Sequence, residues 1–137
     1  MTIAASAVNG TEILLRHDQG GISTLTLNRP QQYNALSEAL LDTLQAALDD
    51  IAGDAGVRVV VLAGSGKAFC AGHDLKEMRA HTDKAYQKAL FERCSRIMLG
   101  LVRLPQPVIA RLEAGAVPAF GLRDHTALRS FHLSRVI

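Results

Sequence analysis

The spacing of apolar residues divides most of the chain into short strands and two long helices. Residues 12–16, Glu-Ile-Leu-Leu-Arg, form a first strand candidate. Asp18, Gln19, Gly20 and Gly21 then supply turn chemistry, because glycine takes positive φ at little steric cost. Over residues 22–27, Ser23, Leu25 and Leu27 fall on one face and Thr24 and Thr26 on the other. That strict alternation predicts a second strand and hence a hairpin.

Asn28-Arg29-Pro30 ends the strand, and Ser37 is a good helix N-cap with Leu36 and Leu41 placed to staple it. Leu40, Leu41, Leu44, Leu48 and Ile51 recur at helical spacing and predict one buried stripe, with Gly53 as the stop. Residues 57–62 are aliphatic except for Arg58, which predicts a strand covered on both faces in a parallel sheet. Gly64, Ser65 and Gly66 follow as a tight loop. Residues 83–104 predict a second helix with Tyr86, Leu90, Cys94, Ile97, Leu101 and Leu104 along one stripe, ended by Pro105 and Pro107. Residues 108–112 are a further strand candidate. The order β-β-α-β-α-β predicts an α/β domain with right-handed crossovers.

Composition narrows the function. With 137 residues the chain suits one domain, and 48% hydrophobic against 20% charged residues is the balance of a globular protein. A net charge of +2 with scattered Lys and Arg gives no footprint for nucleic acid, and 4% aromatics leaves few platforms for bases. No apolar run reaches membrane-spanning length, and residues 1–10 lack a secretory pattern. Cys70 and Cys94 form neither a disulfide framework nor a CxxC pair. A reducing, cytoplasmic setting is expected, with no membrane partner.

The chemistry concentrates in residues 67–78, Lys-Ala-Phe-Cys-Ala-Gly-His-Asp-Leu-Lys-Glu-Met. This stretch follows a buried strand and a glycine turn and opens a short helix. Backbone N–H groups at the carboxyl end of a strand are where α/β folds bind ligands, and a helix start leaves several without internal partners. A thioester oxygen taking on negative charge needs such fixed donors. Other readings of the same residues are weaker. Gly64-Ser65-Gly66-Lys67 fails the Walker A pattern, because Val61 stands where a glycine is required and Ala68 where Ser or Thr is required. His73, Glu77 and His81 are four residues apart but lack the paired spacing of a zinc motif, so no metal is expected. Cys70 with His73 lacks an orienting third group, and Cys70 is expected to be a packing residue. Glu77 and Glu113 are expected to be solvated carboxylates rather than general acids.

Residues 69–75, Phe-Cys-Ala-Gly-His-Asp-Leu, resemble the AF(C/S)AGxDL signature of the crotonase superfamily, the enoyl-CoA hydratase/isomerase family. Asn28-Arg29-Pro30 with Asn34-Ala35-Leu36 resembles its NRPxxxNAL segment, and Pro107-Val108-Ile109-Ala110 its PVIA strand. The motifs occur in the family's order, over about residues 12–111. The Cys-Ala-Gly-His-Asp-Leu form is most similar to the enoyl-CoA hydratase domain-containing protein 3 type. The resemblance implies the N-terminal part of a crotonase-like (ClpP/crotonase) α/β fold built from repeated β-β-α units. It implies an acyl-CoA substrate in fatty-acid metabolism and no separate cofactor. It also implies a homo-oligomeric, trimer-based assembly.

Carried over, the backbone amide of His73 would be one of two oxyanion-hole donors. Ala71, Gly72, Asp74, Leu75 and Lys76 would line the coenzyme A arm or support the turn. Ala35 would lie near the same group, and Arg29 would approach its phosphates.

After Ala110 the family pattern is expected to continue through a Gly-rich turn supplying the second donor. Residues 111–121 match it poorly, and Pro118 would disturb a helix there. This predicts a partial acyl-CoA-binding domain over residues 1–111 and an atypical tail over 112–137, expected to be a frameshift product or an abnormal terminus. Two activities are therefore in play: an enoyl-CoA hydratase (lyase) or isomerase, or a non-catalytic remnant that binds acyl-CoA or partner subunits. Apolar faces over residues 101–112 are expected to be exposed.

Overall fold

The computed structural model describes residues 12–112. Four strands and three helices follow in the order β1 (Leu14–Gln19), β2 (Ile22–Leu27), α1 (Glu38–Ala52), β3 (Val59–Gly64), α2 (Leu75–Ala80), α3 (Lys84–Arg103) and β4 (Val108–Arg111). A single 3-10 turn at Pro30–Gln32 lies between β2 and α1. The strands form one sheet in sequence order. The β1–β2 pair is antiparallel, whereas β2–β3 and β3–β4 are parallel and connected through helices.

The hairpin is tighter than the turn chemistry predicted. β1 runs on through Asp18 and Gln19, which pair with Ser23 and Ile22. The reversal falls on Gly20 (φ 59°) and Gly21 (φ 81°) alone, the positive φ at both positions that a type I′ hairpin needs. Asp18 thereby stays in the strand, where its Oδ1 accepts from the fully buried Ser23 hydroxyl at 2.6 Å.

Register puts Leu14, Leu25, Leu27, Val60, Leu62 and Val108 on one face, all buried. Helices α1 and α3 lie in the same core: Leu40, Leu41, Leu44, Leu48 and Ile51 come from α1, and Leu90, Ile97 and Leu101 from α3. Each such side chain contributes about 2 kcal/mol of burial free energy. Ser37 caps α1, its hydroxyl accepting from the Leu40 amide at 3.2 Å, and Asp83 caps α3 by accepting from Ala85. Gly53 ends α1 as predicted, but at φ −92° rather than in the left-handed region.

The other sheet face departs from expectation. Val59 and Val61 are half-buried, and Ile22 and Ile109 are 46% and 45% exposed. Among the described residues, helices cover one face of β3 and not both. A run of valines signals a strand able to be covered twice, but it does not specify what covers it. The expected exposure over residues 101–112 holds in part: Leu101 and Val108 are buried in the core, Val102, Leu104 and Leu112 are half-buried, and Ile109 is left exposed. The predicted tail, with Glu113, Gly115, Pro118 and Gly121, lies outside the described residues, as does the loose leader.

Candidate functional site

The site is built where two loops meet beyond the carboxyl ends of β2 and β3. The first loop runs from Asn28 to Ser37 and the second from Gly64 to Asp74. Ser65 starts the join by donating its amide to Leu27 O at 2.9 Å. Its hydroxyl donates to Leu27 O and Asn28 Oδ1 at 3.1 and 3.0 Å.

Asn34 carries the next set of ties. It is 0% exposed and sits at φ 55°, directly after Tyr33 at φ 50°. Left-handed backbone costs a side-chain-bearing residue about 1–2 kcal/mol, less for Asn than for most. Its Oδ1 accepts from the Arg29 amide, and its Nδ2 donates to Ser65 O and Ala68 O, each at 2.8 Å. The backbone then pairs across the gap. Ala71 donates to Tyr33 O at 3.0 Å, Leu36 to Gly72 O at 2.8 Å, and Asp74 to Leu36 O at 3.3 Å. Leu36 and His73 thus form an isolated parallel bridge.

In such a bridge the bonds to Leu36 come from the residues on either side of His73. The His73 N–H is left outside the pairing, and among the described residues no acceptor meets it. The neighbouring amides are engaged. Gly72, at φ 94°, donates to Cys70 Sγ at 3.5 Å, and the Lys76 and Glu77 amides donate to Asp74 Oδ1 at 3.1 and 3.2 Å. The Lys76, Glu77 and Met78 donors at the start of the short helix are therefore met by Asp74, whereas the amides of His73 and Leu75 meet no acceptor among the described residues, and of these the one flanked by paired neighbours is at residue 73.

Electrostatics holds the turn from beneath. Arg29 donates to Ala35 O at 2.6 Å and to Asp74 Oδ2 at 3.1 Å, the two side chains being 17% and 13% exposed. Burial pushes the Asp74 carboxyl up. The Glu77 amide, the Arg29 guanidinium and the Lys76 amide outweigh that and hold it below the usual aspartate range. Arg29 is thus committed within the chain, where the sequence suggested a phosphate contact. Ala35 is buried, whereas Ala71, Leu75 and Lys76 are exposed beside the turn, Leu75 at 61%.

The weaker chemical readings find structural roles. Cys70 belongs to the core at 7% exposure, and burial pushes its thiol up despite the Gly72 amide. Glu77 accepts from the Glu38 amide at 2.9 Å, completing the start of α1. His81 stacks on Tyr86 with centroids 4.4 Å apart, while the His73 ring meets Phe91 edge-on at 5.0 Å. Among the described residues no three His, Cys, Asp or Glu side chains converge on a metal-sized site.

Asn34 is the residue that spacing alone does not reveal as an organiser. An asparagine just upstream of a helix cap signals a left-handed turn, but its partners lie 31 and 34 residues away.

A family model described as Enoyl-CoA hydratase/isomerase matches residues 17–126, continuing past the end of β4. Among curated relatives, a Xenopus laevis protein named enoyl-CoA hydratase domain-containing protein 3, mitochondrial, is 34% identical over 116 residues. Those residues are 85% of this chain and 40% of that protein. Among solved structures, an enoyl-CoA hydratase from Mycobacterium smegmatis superposes with a TM-score of 0.73 at 58% identity, covering 74% of this chain and 40% of that one. The human enoyl Coenzyme A hydratase domain-containing protein 3 gives 0.70 at 31% identity, with the same shares. The chain thus spans about two fifths of the length of these proteins.

Proposed function

The chain belongs to the enoyl-CoA hydratase/isomerase family, and from that membership we propose that it binds acyl-CoA thioesters with their carbonyl oxygen on the His73 amide. The observation that carries this reading is the open N–H of His73, held between paired neighbours in the loop that follows β3. Ala71, Leu75 and Lys76 offer the exposed surface for the coenzyme A arm, with Lys76 supplying positive charge for its phosphates. Gly72, Asp74, Arg29 and Ala35 act behind them by fixing the turn. The substrate class is enoyl-CoA in fatty-acid metabolism, with a trimer-based assembly in the cytoplasm. Among the described residues no helix is long and apolar enough to cross a membrane.

The chemistry follows from where charge develops. Adding water across the enoyl double bond, or moving that bond, pushes electrons onto the thioester oxygen. A preset amide meets that charge with no reorganisation at the moment of reaction, and one such donor is worth about 3 kcal/mol. Proton transfer needs separate carboxylates. Of those nearest the turn, Asp74 is paired with Arg29 and caps α2, and Glu77 caps α1. Those commitments favour a second reading, in which this chain binds acyl-CoA or partner subunits without turnover.

Crotonyl-CoA hydration, followed by loss of absorbance of the conjugated thioester, separates the readings when run beside a binding titration. Turnover supports the enzyme. Saturable binding without turnover supports the second reading, and no binding at all sinks both acyl-CoA readings.

A further inference from the structure

We propose that Asn34 is a positioning residue for the His73 amide, setting how strongly a bound thioester carbonyl is polarised. This rests on the reading that the His73 N–H receives that oxygen. Asn34 is fully buried, so it meets no ligand itself. Its Oδ1 holds its own loop by accepting from Arg29, and both Nδ2 protons go to the other loop, at Ser65 and Ala68. The residues beside it continue the attachment at Ala71, Gly72 and Asp74. Residues 33–36 therefore hold the second loop on both sides of His73, while nothing described holds the His73 N–H. The direction of that N–H is inherited from its neighbours, and Asn34 is the side chain that registers one loop on the other.

The surface offered to coenzyme A does not include Asn34. Loosening its ties is therefore expected to separate binding from polarisation, because a hydrogen bond prefers an angle above about 150° and weakens steeply below about 120°. Asn34→Gly accepts the backbone at φ 55° but donates nothing to Ser65 or Ala68. Asn34→Asp keeps the shape and the acceptor for Arg29. It can donate only while its carboxyl is protonated.

The experiment binds hexadienoyl-CoA, whose absorbance moves to the red as its carbonyl accepts stronger hydrogen bonds. For Asn34→Gly the expected result is a dissociation constant within about threefold of the parent chain, with less than about half of the red shift. For Asn34→Asp the expected shift is intermediate at low pH and falls toward the glycine value as the carboxyl ionises. A parent-sized shift in either folded variant overturns the proposal.

Titrating the thioester into the unsubstituted, 15N-labelled chain tests it without relying on a variant that folds. The Asn34 Nδ2 resonances are expected to move with the same saturation as the His73 amide. A stationary Asn34 beside a saturating His73 overturns the positioning role alone. Failure of the unsubstituted chain to bind removes the parent reading and this inference together.

Discussion

At the scale of single residues, the site depends on side chains that hold backbone in place. Asp74 joins a guanidinium, two amides and a loop in one cluster. Its carboxyl titrates below the ordinary aspartate value in the fold, so its stabilisation is complete above that value. It is lost as pH falls through the lowered one. Asp74→Asn is expected to cost about 2 kcal/mol at neutral pH, the worth of a hydrogen bond to a charged group. Urea unfolding across the acid range checks this: the gap between the parent and the variant should close as pH falls, and a gap that widens would refute it. The two cysteines give a second expectation. Burial raises both thiols, so little thiolate is present at neutral pH. Alkylation of the native protein should be slow and accelerate with rising pH, with the half-buried Cys94 reacting before the buried Cys70. Rapid modification of Cys70 at neutral pH would contradict its place in the core.

At the scale of elements, the helices and strands were largely legible because burial here follows simple periods. The stripe on α1 is buried at every predicted position, and Asp83 and Leu104 flank α3 at its predicted ends. What spacing could not give was the β1 boundary, where two glycines absorb the reversal alone, and the register between loops. β3 is a case of both. Its start lies two residues later than the aliphatic run, because the Arg58 and Val59 amides donate to Gly21 O, tying the strand's entry to the hairpin turn. Its last residue, Gly64, has no room for a side chain. A methyl group there would lie 2.5 Å from Phe69 O and 2.9 Å from Phe69 Cα. Gly64→Ala should therefore displace the 65–72 backbone rather than the strand, at about 1–3 kcal/mol, the usual cost of overpacking. A thermal unfolding scan reads the cost, and amide chemical shifts show where the movement falls. Changes confined to β3 would count against a loop effect.

At the scale of the whole molecule, the described residues make a sheet with helices on one face and a second face whose aliphatic positions are partly open. The family was readable from three short motifs in order. The internal commitment of Arg29 and the anchoring by Asn34 were not, because both depend on partners far along the chain. The Leu36–His73 bridge carries this distance into kinetics. It joins residues separated by a helix and a strand, so closing it means closing a long loop, and that entropy cost is met before the contact returns anything. The hairpin and α1 need no such closure. Pulse labelling during refolding should therefore show amides of β1, β2 and α1 protected before those of Leu36 and Ala71. Equal protection rates would mean that the turn around residue 73 belongs to the folding nucleus, rather than being the last part of the chain to take shape.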